Sequence, residues 1–446
     1  MYTGFFRAPK HGLQRAAWRA SALAAALMMV FHAHAGEGRL TLETALREAT
    51  THSALAQAAQ AGERASAQAA VRAGQLPDPM FKAGIDNLPV TGPGRFSLRR
   101  DDMTMQRIGI SQEWVSADKR RLRSQQAQQV VKRQRAAFLQ QIASVRQQTA
   151  SAWLTASYAS QALGLQQALV DHMQHELEVT QAAYKGNAAR ASDVVQSQGM
   201  LVQTQDDTLK ARQQWQNALI ALQRWTAGAV DDVQGDPPAL LSSVETMGAD
   251  QLRERQPALI AAADDVAVAQ ADTAVADSER HANWSWEVAY QRRSLGSDMV
   301  SVGVSIPLQF NQANLQDRYV AEKAARATQA EFTLDDIERQ VLADIRSQAN
   351  TLSSARARLD SLRKRLLPLA QQRVQLAEAA YRSGAGALAD VFAARRADLQ
   401  AQLQVLDLQR EAALVWAQLE YQVLPMDDIT TAQAGSALPA PPSNTP

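Results

Sequence analysis

The 446-residue sequence predicts an α+β membrane chain written twice, with very long helices alternating with two β-hairpins. Three observations carry that expectation. Two long stretches almost free of glycine keep a heptad pattern, and two other stretches alternate apolar with polar residues. The third is a repeat: AAYKGNAARASDV at 182–194 returns as AAYRSGAGALADV at 379–391, with Tyr nine residues before Asp in both and the copies 197 residues apart.

The N-terminus reads as a Sec signal peptide over 1–35. Arg7, Lys10, Arg15 and Arg19 precede an apolar run from Ala20 to Phe31, and Ala33-His34-Ala35 has the A-x-A form of a cleavage site. Its apolar run is too short to span a bilayer. The whole chain holds 46 bases against 45 acids, so cleavage leaves 42 against 45 and no nucleic-acid surface is advertised. Cysteine is absent, which excludes disulfides, thiol catalysis, Cys-based metal sites and a lipidated N-terminal Cys. After residue 35 nothing approaches the roughly 20 apolar residues of a transmembrane helix. If this chain crosses a membrane, it does so as strands.

The first repeat is expected over 36–228. Its hairpin, about 79–114, sets Phe81, Ala83 and Ile85 against Lys82, Gly84 and Asp86, then Ile108, Ile110 and Trp114 against Arg107, Gly109, Ser111 and Glu113. Residues 117–184 follow with no proline and only Gly164, a helix of 68 residues and about 100 Å. Ile142, Val145, Thr149, Ala152, Ala156, Ala159 and Leu163 form its heptad seam, small enough for close helix approach. A tip turn at about 185–192 reverses the chain.

Residues 229–248 are a breaker-rich linker. The second repeat, 249–423, has the clearer hairpin, about 283–310. Trp284, Trp286, Val288 and Tyr290 share one face, and Val300, Val302, Val304, Ile306, Leu308 and Phe310 another. Residues 312–382 form its long helix, with Leu359, Leu362, Leu366, Leu369, Leu376 and Ala380 on a seam and a kink at Pro368. A second tip turn falls at about 382–389, and the tail 424–446, ending in ALPAPPSNTP, is expected to be disordered.

A solvent-exposed coiled coil would show the same heptads, and a soluble sandwich the same alternation. Strand length and the Trp and Tyr at strand ends point to lipid instead. Four strands cannot close a barrel, so the strands must be pooled between subunits. At the tip turns Gly186, Gly384 and Gly386 supply a permissive backbone. Asp193 and Asp390 open the returning helices, where the helix dipole favours a carboxylate. Around an oligomer axis they would also form acidic rings. Tyr184 with Lys185 and Tyr381 with Arg382 lead into the two turns.

LLPLAQQRVQLAEAAYRSGAGALADVFAARRADL, 366–399, resembles the signature of the TolC-type outer-membrane efflux protein family. The resemblance covers nearly all of the chain after residue 35. It implies a homotrimer, a 12-stranded barrel in the outer membrane, a periplasmic α-barrel, and docking onto a periplasmic adaptor and an inner-membrane RND pump. It also implies that Asp390 lines the periplasmic constriction and that Tyr381 and Asp193 are a bonding pair. Ala393 stands where the family pattern has a second aspartate, and Gly386 where it has a base. Lys185 and Arg382 are the bases on hand to replace that one.

Pro77-Asp78-Pro79 and Lys119-Arg120-Arg121 resemble the heavy-metal, CzcC-like branch, while Glu113-Trp114 departs from its second motif. The residues themselves show little metal chemistry. His172, His175 and Glu176 have a chelating spacing that a solvated helix face also has, and Met103 and Met105 lack a third ligand. No enzyme motif and no cofactor is implied. Drug efflux and type I secretion remain open as cargo readings, and a periplasmic adaptor as another class.

Overall fold

A computed structural model describes residues 39–187, 189–226 and 228–434. The expected signal peptide and the tail from residue 435 lie outside the described residues. After a two-residue strand β1 (Arg39–Leu40) come helices α1 (Leu42–His52) and α2 (Ala54–Ala73), strands β2 (Met80–Asp86) and β3 (Met105–Trp114), and helices α3 (Ala117–Lys185) and α4 (Ala191–Gln223). Beyond β4 (Asp232–Val233) the order returns as α5 (Ala249–Arg255), α6 (Pro257–Ser278), β5 (Trp284–Arg293), β6 (Met299–Ser305), α7 (Gln316–Ser361), α8 (Leu367–Arg382) and α9 (Leu388–Tyr421). Helix α10 covers Met426–Ala434.

Local chemistry sets the breaks. Ser53 separates α1 from α2 by accepting from Ala56 N at 3.3 Å. Gln256 does the same for α6, taking Ala258 N at 2.6 Å, with Pro257 as the first helical residue.

The chain forms two compact units. One combines the segment ending at Ala49 with Ala152–Pro238 and Leu367–Asp407; the other combines Thr50–Ser151, Ala239–Leu366 and the segment opening at Leu408. In the first, β1 and β4 pair in parallel, and the buried Trp153 donates its indole N–H to Leu40 O at 2.7 Å.

The second unit holds a four-stranded antiparallel sheet in the order β2-β3-β5-β6. The register Phe81–Ile110–Val288–Val302 puts the apolar residues of all four strands on one face. That face is bare: Phe81 is 73% exposed and Val302 74%. The opposite face is polar. Lys82 reaches Glu287 at 2.6 Å, and Arg107 lies 3.4 Å from Asp86 and 3.7 Å from Glu287. Gly109 permits the close pairing there, since a Cβ at 109 would stand 2.8 Å from Ala289 Cβ. β6 stops at Ser305 and not near residue 310 as expected, because Pro307 has no N–H to extend the ladder.

The start of α3 ties sheet to helices. Lys119 is 3% exposed; its ammonium donates to His281 O, to Asn283 Oδ1 at 2.9 Å and to Glu279 Oε2 at 3.4 Å. Arg123 takes the other Glu279 oxygen at 2.7 Å. Asn283 in turn donates to Glu113 Oε1 at 2.9 Å. The basic cluster after β3 therefore works as an anchor for the α6–β5 junction.

Further along, Val145, Thr149, Ala156 and Leu163 of the α3 seam are buried. The expected kink at Pro368 takes the form of a π-helical turn over Leu362–Leu366, the missing N–H being absorbed by one wide turn. The extra residue rotates the helix beyond it. Leu359 stays buried, while Leu369 and Leu376 are exposed rather than continuing the seam.

The linker and the tail also differ from expectation. In the second unit Val244 is buried and Glu245 meets Arg356 at 2.7 Å, so that part of the linker is docked. The tail starts ordered. Leu424 and Ile429 pack on Leu139 and Ala143, and Asp428 pairs with Arg146 at 2.7 Å.

Lys119→Met should lower stability by about 3 kcal/mol, the lower end of the range for breaking a buried pair, because Glu279 keeps Arg123. Denaturant unfolding in detergent measures it. Burial is the largest single influence on the Glu279 carboxyl and pushes it up, but the Arg123 hydrogen bond and the charges of Lys119 and Arg123 together hold it below its ordinary 4.5. Its contribution is thus complete above about pH 4.5 and lost as pH falls through the lowered value. Glu279→Gln should flatten that acid-side loss, which unfolding from pH 6 to 3 will show.

Candidate functional site: the helix-reversal turns

Both reversal turns lie in the first unit, and the two solve the same problem with different residues. In the turn between α3 and α4, Gly186 N donates to Ala182 O at 3.1 Å and Asn187 N to Tyr184 O at 3.1 Å. The left-handed position is Asn187, with φ of 57°, and not Gly186. Asparagine tolerates that conformation better than most side chains, so no glycine is required. Between α8 and α9, Gly384 takes the left-handed position with φ of 76°. Gly386 is needed for space, since a Cβ there would come within 3.0 Å of Ala380 Cβ. Ala380 O receives Ala385 N at 2.9 Å and Gly386 N at 3.0 Å, closing the end of α8.

Each returning helix is capped by its aspartate. Asp193 accepts from Arg190 N at 3.0 Å, and Asp390 from Ala387 N at 3.2 Å. These carboxylates satisfy backbone donors that a helix start leaves unpaired, at the positive end of the helix dipole. Asp390 remains exposed to solvent beside that bond.

The resemblance pairs Tyr381 with Asp193, but within one protomer each has other partners. Tyr381 packs against a cluster of Met173, Leu388 and Phe392, and Asp193 serves its own helix. Tyr184 and Lys185 are exposed, as is Arg382, whose Nε donates to Glu378 O at 3.3 Å. Glu176 faces Arg395 at 4.0 Å, leaving it to a guanidinium rather than to His172 and His175. Among the described residues no three His, Asp or Glu side chains are grouped as metal ligands would be.

Arg395 and Arg396 are the residues that spacing did not single out. Arg395 bonds Glu378 on α8 at 2.8 Å while facing Glu176 on α3, and Arg396 donates to Gln203 on α4 at 3.0 Å. One doublet on α9 thus clamps the other three helices of the reversal. The RR doublet is visible in the sequence, but nothing in helical spacing says which carboxylates it meets.

Residues 47–228 match the family model described as Outer membrane efflux protein. Proteins of the outer membrane efflux family are channels, not enzymes. The matched stretch holds one full pass of the element order, from α1 through the first turn to α4. No curated protein matches the chain by sequence. The fold is shared with solved structures. The outer membrane protein VceC of Vibrio cholerae superposes with a TM-score of 0.69 at 18% identity, covering 85% of this chain and 95% of that one. The CmeC outer membrane channel of Campylobacter jejuni gives 0.72 at 13% identity, with 89% of each chain covered. CusC, solved for the conformational changes of transmembrane channel formation, gives 0.69 at 15% identity over 85% of this chain and 91% of its own.

If the aspartates cap in this way, Asp390→Ala should speed amide exchange in the first turn of α9 by about 2–5-fold, the equivalent of about 0.3–1 kcal/mol for a dipole-facing carboxylate. Asp390→Asn, which keeps an acceptor for Ala387 N, should lose less.

Proposed function

We propose that three copies of this chain form an outer-membrane exit duct, with a 12-stranded barrel in the outer membrane and a helical barrel in the periplasm. The duct works with a periplasmic adaptor and an inner-membrane RND pump, and its cargo is heavy-metal cations. The sheet carries this reading. It turns an apolar face outward and an ion-paired face the other way, with no helix long and apolar enough to cross a membrane among the described residues. A soluble protein would cover such a face.

The strands have the right reach. At ten residues, β3 and β5 run about 34 Å, which at a tilt of about 45° rises through a band of roughly 25 Å. Among the described residues of the protomer, edges β2 and β6 are unpaired. Because the sheet has four antiparallel strands, β6 of one copy can meet β2 of the next antiparallel as well. The helices ask for neighbours too. Val195, Val202 and Leu209 form an exposed heptad stripe on α4, and Leu369 and Leu376 another on α8.

In this assembly Asp390 lines the constriction as a repeated acid, Tyr381 and Asp193 latch it between protomers, and Lys185 and Arg382 supply positive charge nearby. The metal cargo rests on the likeness of Pro77-Asp78-Pro79 and Lys119-Arg120-Arg121 to the heavy-metal branch. Those motifs do structural work here. Pro77 O accepts from Gln112 Nε2 at 2.7 Å, and Lys119 anchors the α6–β5 junction. A duct has no need to hold its cargo, since tight binding slows exit.

Three outcomes test these claims. Val202→Asp should turn the purified trimer into monomer by light scattering in detergent. Asp390→Ala should reduce the cation preference of single channels in planar bilayers; unchanged selectivity removes Asp390 from the pore. A deletion strain grown on Cu, Ag, Zn, Cd, Co and Ni salts beside lipophilic drugs should be hypersensitive to one or two metals, with raised cell-associated metal. Sensitivity to drugs alone keeps the duct and changes the cargo.

A further inference from the structure

The sheet's two loops meet at the end away from the helices, and their charges are lopsided. The β2–β3 connection carries Arg95, Arg99 and Arg100, and β5 ends in Arg292 and Arg293 just before its turn. Hydrogen bonds hold the two loops together: Ser294 Oγ donates to Leu98 O at 3.0 Å, and Arg293 Nε to Asp102 O at 2.8 Å. The nearby acids are partly engaged. Asp101 accepts from Met103 N at 2.7 Å and Asp298 takes the Tyr290 hydroxyl and Arg293 N, bonds that leave both charges in place, so with Asp102 three acids stand against five arginines and the loops keep a net charge of +2.

Strand register then places one arginine with care. Arg292 pairs with Gln106 and falls on the same sheet face as Val288 and Tyr290, one step beyond the tyrosine. It is therefore an exposed cation at the rim of the apolar band, not in the polar interior. Arg95 lies over the Phe96 ring at 5.0 Å, an arrangement that leaves the guanidinium edge free to bond. Phe96 and Leu295 are themselves exposed at 60% and 61%. Apolar tips among arginines, above an apolar wall, suit the boundary between acyl chains and anionic headgroups.

We propose that Arg99, Arg100 and Arg292, with Arg95, form a collar that binds the phosphate groups of a phosphorylated glycolipid in the outer leaflet. This rests on the membrane reading of the proposed function. Phosphate is the fitting partner because guanidinium groups bond it bidentately and because Arg292, at the rim of the apolar face, lies where a headgroup would sit in that reading.

Native mass spectrometry of the full-length protein in detergent tests it, with bisphosphorylated lipid A and its dephosphorylated form as probes. The protein should retain the bisphosphorylated form at least about 10-fold better, in line with roughly fivefold per arginine near a charged surface. Arg99→Gln/Arg100→Gln/Arg292→Gln should abolish the preference, and the matching lysine variant, which keeps the charge but not the bidentate geometry, should keep only part of it. Equal retention of both lipids, or a preference that survives in the glutamine variant, overturns the proposal. So does displacement by millimolar inorganic phosphate, which would mark a site for the free anion. Bilayer conductance separates the two readings. A protein that conducts without lipid preference loses only the collar, whereas one that never inserts loses the membrane reading.

Discussion

Two strand edges with nothing to pair with set the terms for everything else in this chain. In hydrocarbon each unsatisfied backbone N–H or C=O costs several kcal/mol, and water is not there to relieve it. A sheet ordered β2-β3-β5-β6 leaves one open edge on each side. In the proposed duct its apolar face would meet lipid while its open edges could not, and closure with further copies would meet both demands. The even strand count then matters, since it lets identical edges join without breaking the antiparallel pattern. Within the sheet, Gly109 and Ala289 keep the polar face tight enough for Lys82 to cross to Glu287.

A sheet under that constraint has to be held at a fixed angle to the helices that continue from it. Lys119 is the means, a buried ammonium among Glu279, Asn283 and the His281 carbonyl. At the reversal turns the requirement is different, because the chain must turn back while its helix ends stay satisfied. Asp193 and Asp390 do this at the starts, and the Ala380 carbonyl at one of the ends. An acid used as a cap is still an acid. Capping leaves its charge in place, so it is compatible with the pore role proposed for Asp390.

Much of this was legible because period and register are local properties. Alternation from Trp284 to Tyr290 and from Val300 to Val304 depends only on neighbours, and the structure keeps it. The repeat of Tyr and Asp likewise located both turns. What escaped was set by contacts far along the chain or by single backbone atoms. Proline at 307 ends β6 early, and the π turn before Pro368 carries Leu369 and Leu376 off the seam that spacing assigned them. Asn187 replaced Gly186 at the left-handed position because the turn needed one such residue and the sequence offered two. The ordered start of the tail depends on Leu139, Ala143 and Arg146, some 280 residues upstream, which no local pattern reveals. Arg395 and Arg396 belong to the same class, their partners lying on three other helices.

Because the chain has no cysteine, a nitroxide can be placed at one position at a time without background. The most direct test labels each of residues 300 to 304 and measures access of oxygen and of a water-soluble nickel complex in reconstituted bilayers. Oxygen access should peak at 300, 302 and 304, and nickel access at 301 and 303. Nickel reaching all five equally would contradict the account, because the apolar face of the sheet would then meet water and not lipid.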